Sequence, residues 1–448
     1  MVLTEREQAA CAAIEGSREE AVDFLRSLIR TPSVTGEEGE AQGLIRRRFE
    51  AMGLATEVFV PDLARLAGHP EFIPGGGIGQ PLAERPNIIG RRAGTGGGPS
   101  VLVFGHVDTV PPGPRGEWRH DPFGAEIADG RMYGRGTADM KAGLAAAFLA
   151  VEALQRAGVR LRGDVICMSN IEEEIGGSGG VLACVVQAGL RADVALYPHP
   201  GPEKPLLVMT GSSGAFGFRI RVKGETTHGR QAHLGVNAIT KAMAICRALE
   251  ALDEERGRTV RDELTEKAYT LSGRAARATN LYLSAIRGGD WIYQVPASCE
   301  MDWMFTFPHH ESPDQARALV EATVRHACQA DPWLREHPAT LEWLPLAFSP
   351  SRPFPDHPFV RLAQEATRTV FGRPTEVIAN PVGSDIRVTV NYGGMPSVIV
   401  GPRGDRIHAF DEWVDLDSYL NIIKTTALIL MRWCGTASPA PVPRPWAP

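Results

Sequence analysis

Residues 101–180 concentrate the side chains that can hold a divalent cation and move a proton beside it. An imidazole and a carboxylate stand two residues apart at His106 and Asp108, another acid stands at Asp139, and three carboxylates run together at Glu172, Glu173 and Glu174. Side chains alternate along a strand, so His106 and Asp108 leave it on the same side. A metal-bound imidazole needs its second nitrogen held by an acceptor, which Asp108 is placed to supply. Three adjacent carboxylates repel one another, and burying them without a cation is costly. A pair of divalent cations would resolve that conflict. Taken alone, such a triplet is more often a solvated acidic turn. The His-x-Asp segment before it and the glycine-rich IGGSGG after it favour a two-metal centre of the kind that activates water for hydrolysis.

The elements around these residues must aim them. Val101-Leu102-Val103-Phe104 is a continuous apolar run, the pattern of a strand buried on both faces. In an open parallel sheet, ligands gather beyond the carboxyl ends of such strands. Residues 164–169, DVICMS, repeat the pattern and run into the glutamates. A helix is expected over 140–157, with Gly and Ala on its close-packed face. Asp139 just ahead of it could be an ordinary cap that suits the helix dipole. The turn Gly134-Arg135-Gly136 equally fits a tight bend that points Asp139 at a metal.

Upstream, the periodicity predicts a helix over 4–30 stopped by Pro32, a second over 39–53, and strands at 57–60 and 87–90. Residues 61–85 are rich in Pro and Gly and read as a long surface loop, or as a specificity lid. A helix over 178–188 and a strand over 192–197 complete an alternation that argues for a mainly parallel sheet covered on both faces. The pattern then changes. Strands at 215–222, 282–286, 299–307 and 340–344, with helices at 237–254 and 312–330, give the order of an α+β sandwich. An inserted domain is therefore expected at 213–345, between 1–212 and 346–433 of the first domain. The first domain resumes with helix 358–371, strand 396–400 and helix 416–433. The tail, 434–448, is proline-rich and expected to be disordered.

Composition narrows the classes. A chain of 448 residues is too long for one ordinary core, so two domains are expected. Apolar content of 43% and charged content of 22% are those of a soluble globular protein. A net charge of -6 gives no footing for nucleic acid. The cysteines, at 11, 167, 184, 246, 299, 328 and 434, are odd in number and form no CxxC pair, so neither a disulfide framework nor a thiolate zinc site is indicated. The polar, acidic N-terminus has no signal-peptide core, and no apolar run reaches membrane-spanning length, so a cytoplasmic protein without membrane partners is expected.

Over residues 20–433 the chain resembles the aminoacylase, acetylornithine deacetylase, succinyl-diaminopimelate desuccinylase and carboxypeptidase G family of co-catalytic metallohydrolases. The resemblance rests on GHVDTVP, WRHDPFGAEIADGRMYGRGTADMKAG, EEEIGGSGG, VKGETTHGRQAHLGVNAI, GSDIR and the His408 region. It implies an α/β, zinc-peptidase-like catalytic domain, with a mostly parallel mixed sheet flanked by helices, and an inserted α+β sandwich through which a homodimer forms. It also implies site roles: His106 binds one metal and Asp108 orients it, Asp139 bridges two metals and is followed by a cis peptide to Met140, Glu173 is the general base, and Glu174 and His408 are ligands. Where the family usually carries Glu or Asp, this chain has His199, with Glu203 four residues later as the competing ligand. Imidazole suits zinc and other transition metals. His228, rather than the nearby His233, matches a histidine that reaches across a dimer to polarise the scissile carbonyl. Asn280 and Arg387 match substrate contacts, the guanidinium being able to grip a carboxylate bidentately. An arginine that the family often carries late in the inserted domain is missing from Asp302-Trp303-Met304.

The implied cofactors are two divalent ions, zinc first, with cobalt or manganese as alternatives. The implied reaction is hydrolysis of an amide bond in a small molecule by a metal-bridged hydroxide, as in removal of the acyl group from an N-acyl amino acid or related amine. A dipeptidase or carboxypeptidase-type exopeptidase, or a hydrolase of a less usual carbamoyl or aryl-amine bond, is the alternative. A non-catalytic binding protein on the same fold is a third reading, disfavoured by the presence of Glu173, Asp139, His106 and His408.

Overall fold

The computed structural model describes residues 3–74, 77–200 and 206–437. The chain divides into two compact units. The first comprises Met1–Thr210, Phe354–Ile378 and Val388–Pro448, the second Gly211–Pro353 and Ala379–Arg387.

An eight-stranded sheet organises the first unit, in the order Ala55–Phe59, Asn87–Arg92, Val165–Asn170, Val101–His106, Val194–Tyr197, Ser397–Ile399, Leu206–Ser212, Thr375–Asn380. Its centre is parallel, from Val165–Asn170 through to Ser397–Ile399. Antiparallel neighbours flank that centre on either side. Every residue of Val101–His106, Val165–Asn170 and Val194–Tyr197 is buried, because helices cover both faces. The Ala142–Arg156 helix packs against the sheet and against Leu416–Cys434. Its alanines let it approach closely. A Cβ at Gly143 would lie 1.7 Å from the Pro198 carbonyl oxygen, so only glycine fits where this helix meets the end of a strand.

Local chemistry changed several expected elements. The helix expected over 4–30 is two, Glu5–Gly16 and Arg18–Arg30. Ser17 leaves helical geometry between them (φ -107°, ψ 19°), and its hydroxyl donates to the Ala13 carbonyl at 2.8 Å. The helix expected over 178–188 shrinks to a wide turn, Ser178–Leu182, and one helical turn, Ala183–Val186. Gly180 sets that turn, since a Cβ there would lie 2.0 Å from the Ile171 carbonyl oxygen. Sequence reading missed the Leu206–Ser212 and Thr375–Asn380 strands, the Glu263–Leu271 helix, and a small antiparallel sheet of Gly404–Asp405, Trp413–Asp415, Arg131–Tyr133 and Glu126–Ala128. Residues 438–448 of the proline-rich tail lie outside the described residues.

The 61–85 segment is not simply a surface loop. Leu66, Glu71, Ile73 and Arg85 are buried, and the Ile73 amide donates to the Ser178 hydroxyl. Arg85, fully buried, pairs with Glu38 at 3.2 Å and with Glu172 at 2.6 Å, both carboxylates being fully buried as well.

The second unit is built on a four-stranded antiparallel sheet, ordered Asn280–Gly288, Ser298–Phe307, Gly214–Lys223, Thr340–Phe348. Its strands alternate as half-buried strands should. Phe216, Phe218, Ile220 and Val222 enter a core with Trp303, Phe305 and the helices Ala238–Thr259 and Pro313–Ala330. On the other face Arg219 pairs with Asp302 at 2.6 Å and Arg221 with Glu300 at 2.9 Å. Among the described residues no helix is long and apolar enough to cross a membrane.

Replacing Arg85 with methionine strands two buried carboxylates, and removing one partner of a buried pair costs about 3–5 kcal/mol. Burial and nearby Asp108 already push the Glu38 carboxyl up to about 7, against the pull of Arg85. A raised carboxyl favours the fold while it is protonated, and that contribution is lost as pH rises through its folded value. Urea unfolding of Arg85→Met should therefore show a smaller loss at about pH 5 than at about pH 8. An equal loss at both would mean that charge burial is not what Arg85 offsets.

Candidate metal centre

His106 ends its strand with the ring wholly buried. Its Nδ1 lies 3.0 Å from the Asp108 main-chain oxygen and 3.4 Å from the Asp108 carboxylate. A carbonyl can only accept, so Nδ1 carries a proton, and Nε2 is the nitrogen that a cation would take in place of its own proton. The Asp108 carboxylate has further work. It accepts the Thr35 hydroxyl at 2.9 Å and the amides of Glu173 and Glu174 at 3.1 and 3.2 Å. Asp108 thus ties the strand bearing His106 to the turn bearing the two glutamates.

Asp139 is held from behind by Glu412, a residue that sequence reasoning did not single out. The Glu412 carboxylate is fully buried and accepts the amides of Gly136, Ala138 and Asp139 at 3.0, 2.8 and 2.9 Å. It also pairs with the Arg135 guanidinium at 2.7 Å. Burial pushes its carboxyl up, against these donors. Lys141, also fully buried, closes the turn by donating to the Leu28 and Thr31 carbonyls, each at 2.9 Å. The Asp139–Met140 peptide is cis.

So fixed, the Asp139 carboxylate faces two ways. Its Oδ1 lies 3.0 Å from His106 Nε2 and 3.0 Å from His199 Nε2. Its Oδ2 lies 3.5 Å from His408 Nε2, which in turn is 3.0 Å from Glu174 Oε2. Two donor triads result, His106–Asp139–His199 and Asp139–Glu174–His408, each with its donor atoms within 4.8 Å of one another. His199 follows the Val194–Tyr197 strand, its ring stacked on Tyr197 with Nδ1 3.2 Å from the Pro200 carbonyl. Glu203 lies outside the described residues. His408 and Glu172 both have left-handed backbone, φ 62°, which costs energy for residues with a Cβ and is typical of sites held by their surroundings.

The electrostatics are those of a cation site. Burial alone would lower the His106 imidazole's pKa, but Asp108, Asp139 and Glu173 hold it well above the ordinary value. Burial would raise the Asp139 carboxyl, but His199, His106 and His408 hold it well below. Asp139 and Glu174 push His408 up to about 10. Glu174 Oε1 is buried with no hydrogen-bond partner. Oxygen and imidazole donors around a shared carboxylate, with a buried carboxylate oxygen to spare, fit a pair of divalent ions such as zinc, cobalt or manganese.

One expectation about the triplet needs correcting. Glu172 does not depend on a cation, because Arg85 and the amides of Gly77 and Gly179, at 2.7 and 3.0 Å, already satisfy it. Only Glu173 and Glu174 are left for the centre. The second unit holds the other singled-out residues. His228 is exposed, and its Nδ1 accepts the Arg230 amide at 3.1 Å; His233 is exposed in the same turn. Asn280 opens a strand, and its carbonyl accepts the Thr306 hydroxyl at 3.4 Å. Arg387 is fully buried, 3.6 Å from Asp385, with its guanidinium 4.6 Å from the centre of the Phe348 ring.

A family model described as peptidase family M20/M25/M40 matches residues 102–432, which include every residue of both triads. The chain belongs to that family. It is accordingly a metal-dependent hydrolase of C–N bonds. A succinyl-diaminopimelate desuccinylase of Alkalilimnicola ehrlichii is 28% identical over 416 residues, covering 90% of this chain and 97% of its own. An N-formyl-4-amino-5-aminomethyl-2-methylpyrimidine deformylase of Bacillus subtilis is 28% identical over 378 residues, covering 78% and 83%. Human carnosine dipeptidase 1 shares the fold with a TM-score of 0.75 at 17% identity, over 96% of this chain and 99% of its own. A Bacillus subtilis structure described as a dinuclear metal binding peptidase from the M20 family gives 0.61 at 17%, over 94% and 99%.

Two outcomes test this centre. A proton on His408 competes with a cation for the same carboxylates, and with its pKa held at about 10 that proton is present at neutral pH. Zinc binding should therefore release protons, and apparent affinity should climb with pH until His408 deprotonates. Calorimetry in buffers of different ionisation enthalpy reads this directly, and zinc uptake with no proton release would contradict it. Glu412→Gln keeps the shape but exchanges acceptor oxygens for an amide. Loss of such an outer partner costs about 10–100-fold in metal affinity. Competition with a chelator should show that drop.

Proposed function

We propose that the protein removes the acyl group from an N-acyl amino acid or a related acylated amine, with two divalent ions at the Asp139 centre and Glu173 as general base. The observation that carries this reading is the two-faced Asp139 carboxylate, set beside a Glu173 whose amide is bound to Asp108. Bound there by His106, His199, Asp139, Glu174 and His408, the cations would supply Lewis-acid polarisation and acidify a water. Glu173 takes the proton from the attacking water and returns it to the departing amine, the two halves of general acid–base work. The Asp108 carboxylate anchors the Glu173 amide, and the Asp108 main-chain oxygen holds the His106 Nδ1 proton. Zinc suits the mixed imidazole and carboxylate set best, with cobalt and manganese as alternatives.

The two relatives named above by sequence similarity are a desuccinylase and a deformylase, which supports a deacylase over an exopeptidase. We assign His228 to the polarisation of the scissile carbonyl and Asn280 and Arg387 to substrate contacts, in a homodimer formed through the second unit. The cysteines are scattered, odd in number and without a CxxC pair, which suits a reducing compartment, and we place the enzyme in the cytoplasm.

The test uses protein stripped of metal and restored with zinc, cobalt or manganese, on a panel of N-acyl amino acids, N-formyl amines, dipeptides and acyl anilines. Metal-dependent turnover of the acyl amines is expected, falling by about 10²–10⁴-fold in Glu173→Gln while cation binding is unchanged. Turnover of dipeptides alone would transfer the enzyme to the exopeptidases. Full activity in Glu173→Gln would remove the base assignment.

A further inference from the structure

The second unit carries a cluster of metal-ligating side chains that the amide-hydrolysing centre does not use. Asp262 caps the Glu263–Leu271 helix, and His309 and His310 follow the Ser298–Phe307 strand. A tight turn closed by the Glu311 amide on the Pro308 carbonyl brings both rings to one carboxylate. His309 Nδ1 lies 2.7 Å and His310 Nδ1 3.7 Å from Asp262 Oδ2. All three donor atoms lie within 4.8 Å of one another. We propose that Asp262, His309 and His310 form a separate binding site for a late first-row divalent cation such as zinc.

Four observations support the site. Two imidazoles and one carboxylate are the donor set of many zinc and nickel sites, with open positions left to water. The carboxylate is built in, not loose: Asp262 is buried, its Oδ1 accepts the Thr265 amide at 2.9 Å, and its own amide donates to Glu266 at 2.9 Å. Such outer bonds hold a ligand in place before the metal arrives. His309 Nδ1 is buried and makes no hydrogen bond of ordinary geometry, although the carboxylate is close. The neighbouring guanidinium groups are already paired, Arg256 with Glu311 at 2.7 Å and Arg261 with Glu266 at 2.6 Å, so neither competes for Asp262.

Ligands at about 2.0–2.2 Å from a tetrahedral ion stand somewhat over 3 Å apart, so a small rotation of the His309 ring outward and the His310 ring inward makes room. Burial would raise the Asp262 carboxyl, but His309 and the Thr265 amide hold it down to about 2, so it is ionised wherever imidazole can bind metal.

The experiment is zinc calorimetry on metal-stripped, full-length protein. Wild type should bind one equivalent more than His309→Asn/His310→Asn, and that variant should keep its hydrolase activity. His310→Asn alone, altering an exposed ring that cannot endanger the fold, should weaken the same equivalent. Glu174→Gln/His408→Asn, which disables the first unit's centre, should still bind zinc at the second-unit site. Equal stoichiometry and affinity in wild type and both histidine variants would overturn the proposal. So would an extra equivalent that fills only at millimolar zinc. Neither result bears on the Asp139 centre, whose failure would appear instead as loss of the other equivalents.

Discussion

The structure of the first unit turns on one carboxylate shared between three imidazoles. Asp139 is almost wholly buried, and its two oxygens face different histidines, His106 and His199 on one side and His408 on the other. An ionised carboxylate in such a place is expensive unless positive charge meets both oxygens. The surrounding imidazoles hold its pKa well below the usual range, so the charge stays. A group in this position needs positive charge on both sides, which the imidazoles meet and which two cations would meet in the reading proposed above.

Much of the first unit exists to hold Asp139 and its partners still. Glu412 gathers three turn amides, of Gly136, Ala138 and Asp139, and a guanidinium, an arrangement that fixes the backbone before any ligand arrives. Asp108 does the same across two strand ends, tying His106 to the Glu173–Glu174 turn. Behind that turn, Glu172 and Glu38 are bridged by Arg85 from the 61–85 segment. The glutamates of one short run thus divide their labour. Glu172 belongs to the scaffold and Glu174 joins a donor triad, although all three are written identically in the chain.

That division explains what the sequence could and could not disclose. The parallel centre of the sheet was legible, because strands buried on both faces carry continuous apolar runs, as Val101 to Phe104 and Val194–Tyr197 do. His106 and the glutamate run stood out because each lies at the end of such a strand, whereas the choice of Asp139 over an ordinary helix cap, and of Glu174 within the run, came from the resemblance. His199 was visible as a ligand candidate only through the resemblance, as the residue standing where the family usually carries Glu or Asp. Glu412, Arg85 and Thr35 were not legible. Each acts on a residue far away in the chain, and a charged residue in a loop leaves no periodic trace. The break at Ser17 was hidden for a different reason: the apolar spacing continues across it, while a single hydroxyl competes for the helix carbonyls. Short strands such as Gly404–Asp405 fall below the length at which alternation can be seen.

The central claim is that Asp139 carries a cation on each of its oxygens. Anomalous diffraction at the zinc edge, on crystals of the zinc-restored enzyme, tests it most directly. Two peaks are expected astride Asp139, one near His106 and His199 and the other near Glu174 and His408, about 3.5–4 Å apart as in other two-metal sites. A single peak, or a pair that does not share Asp139, would contradict the account.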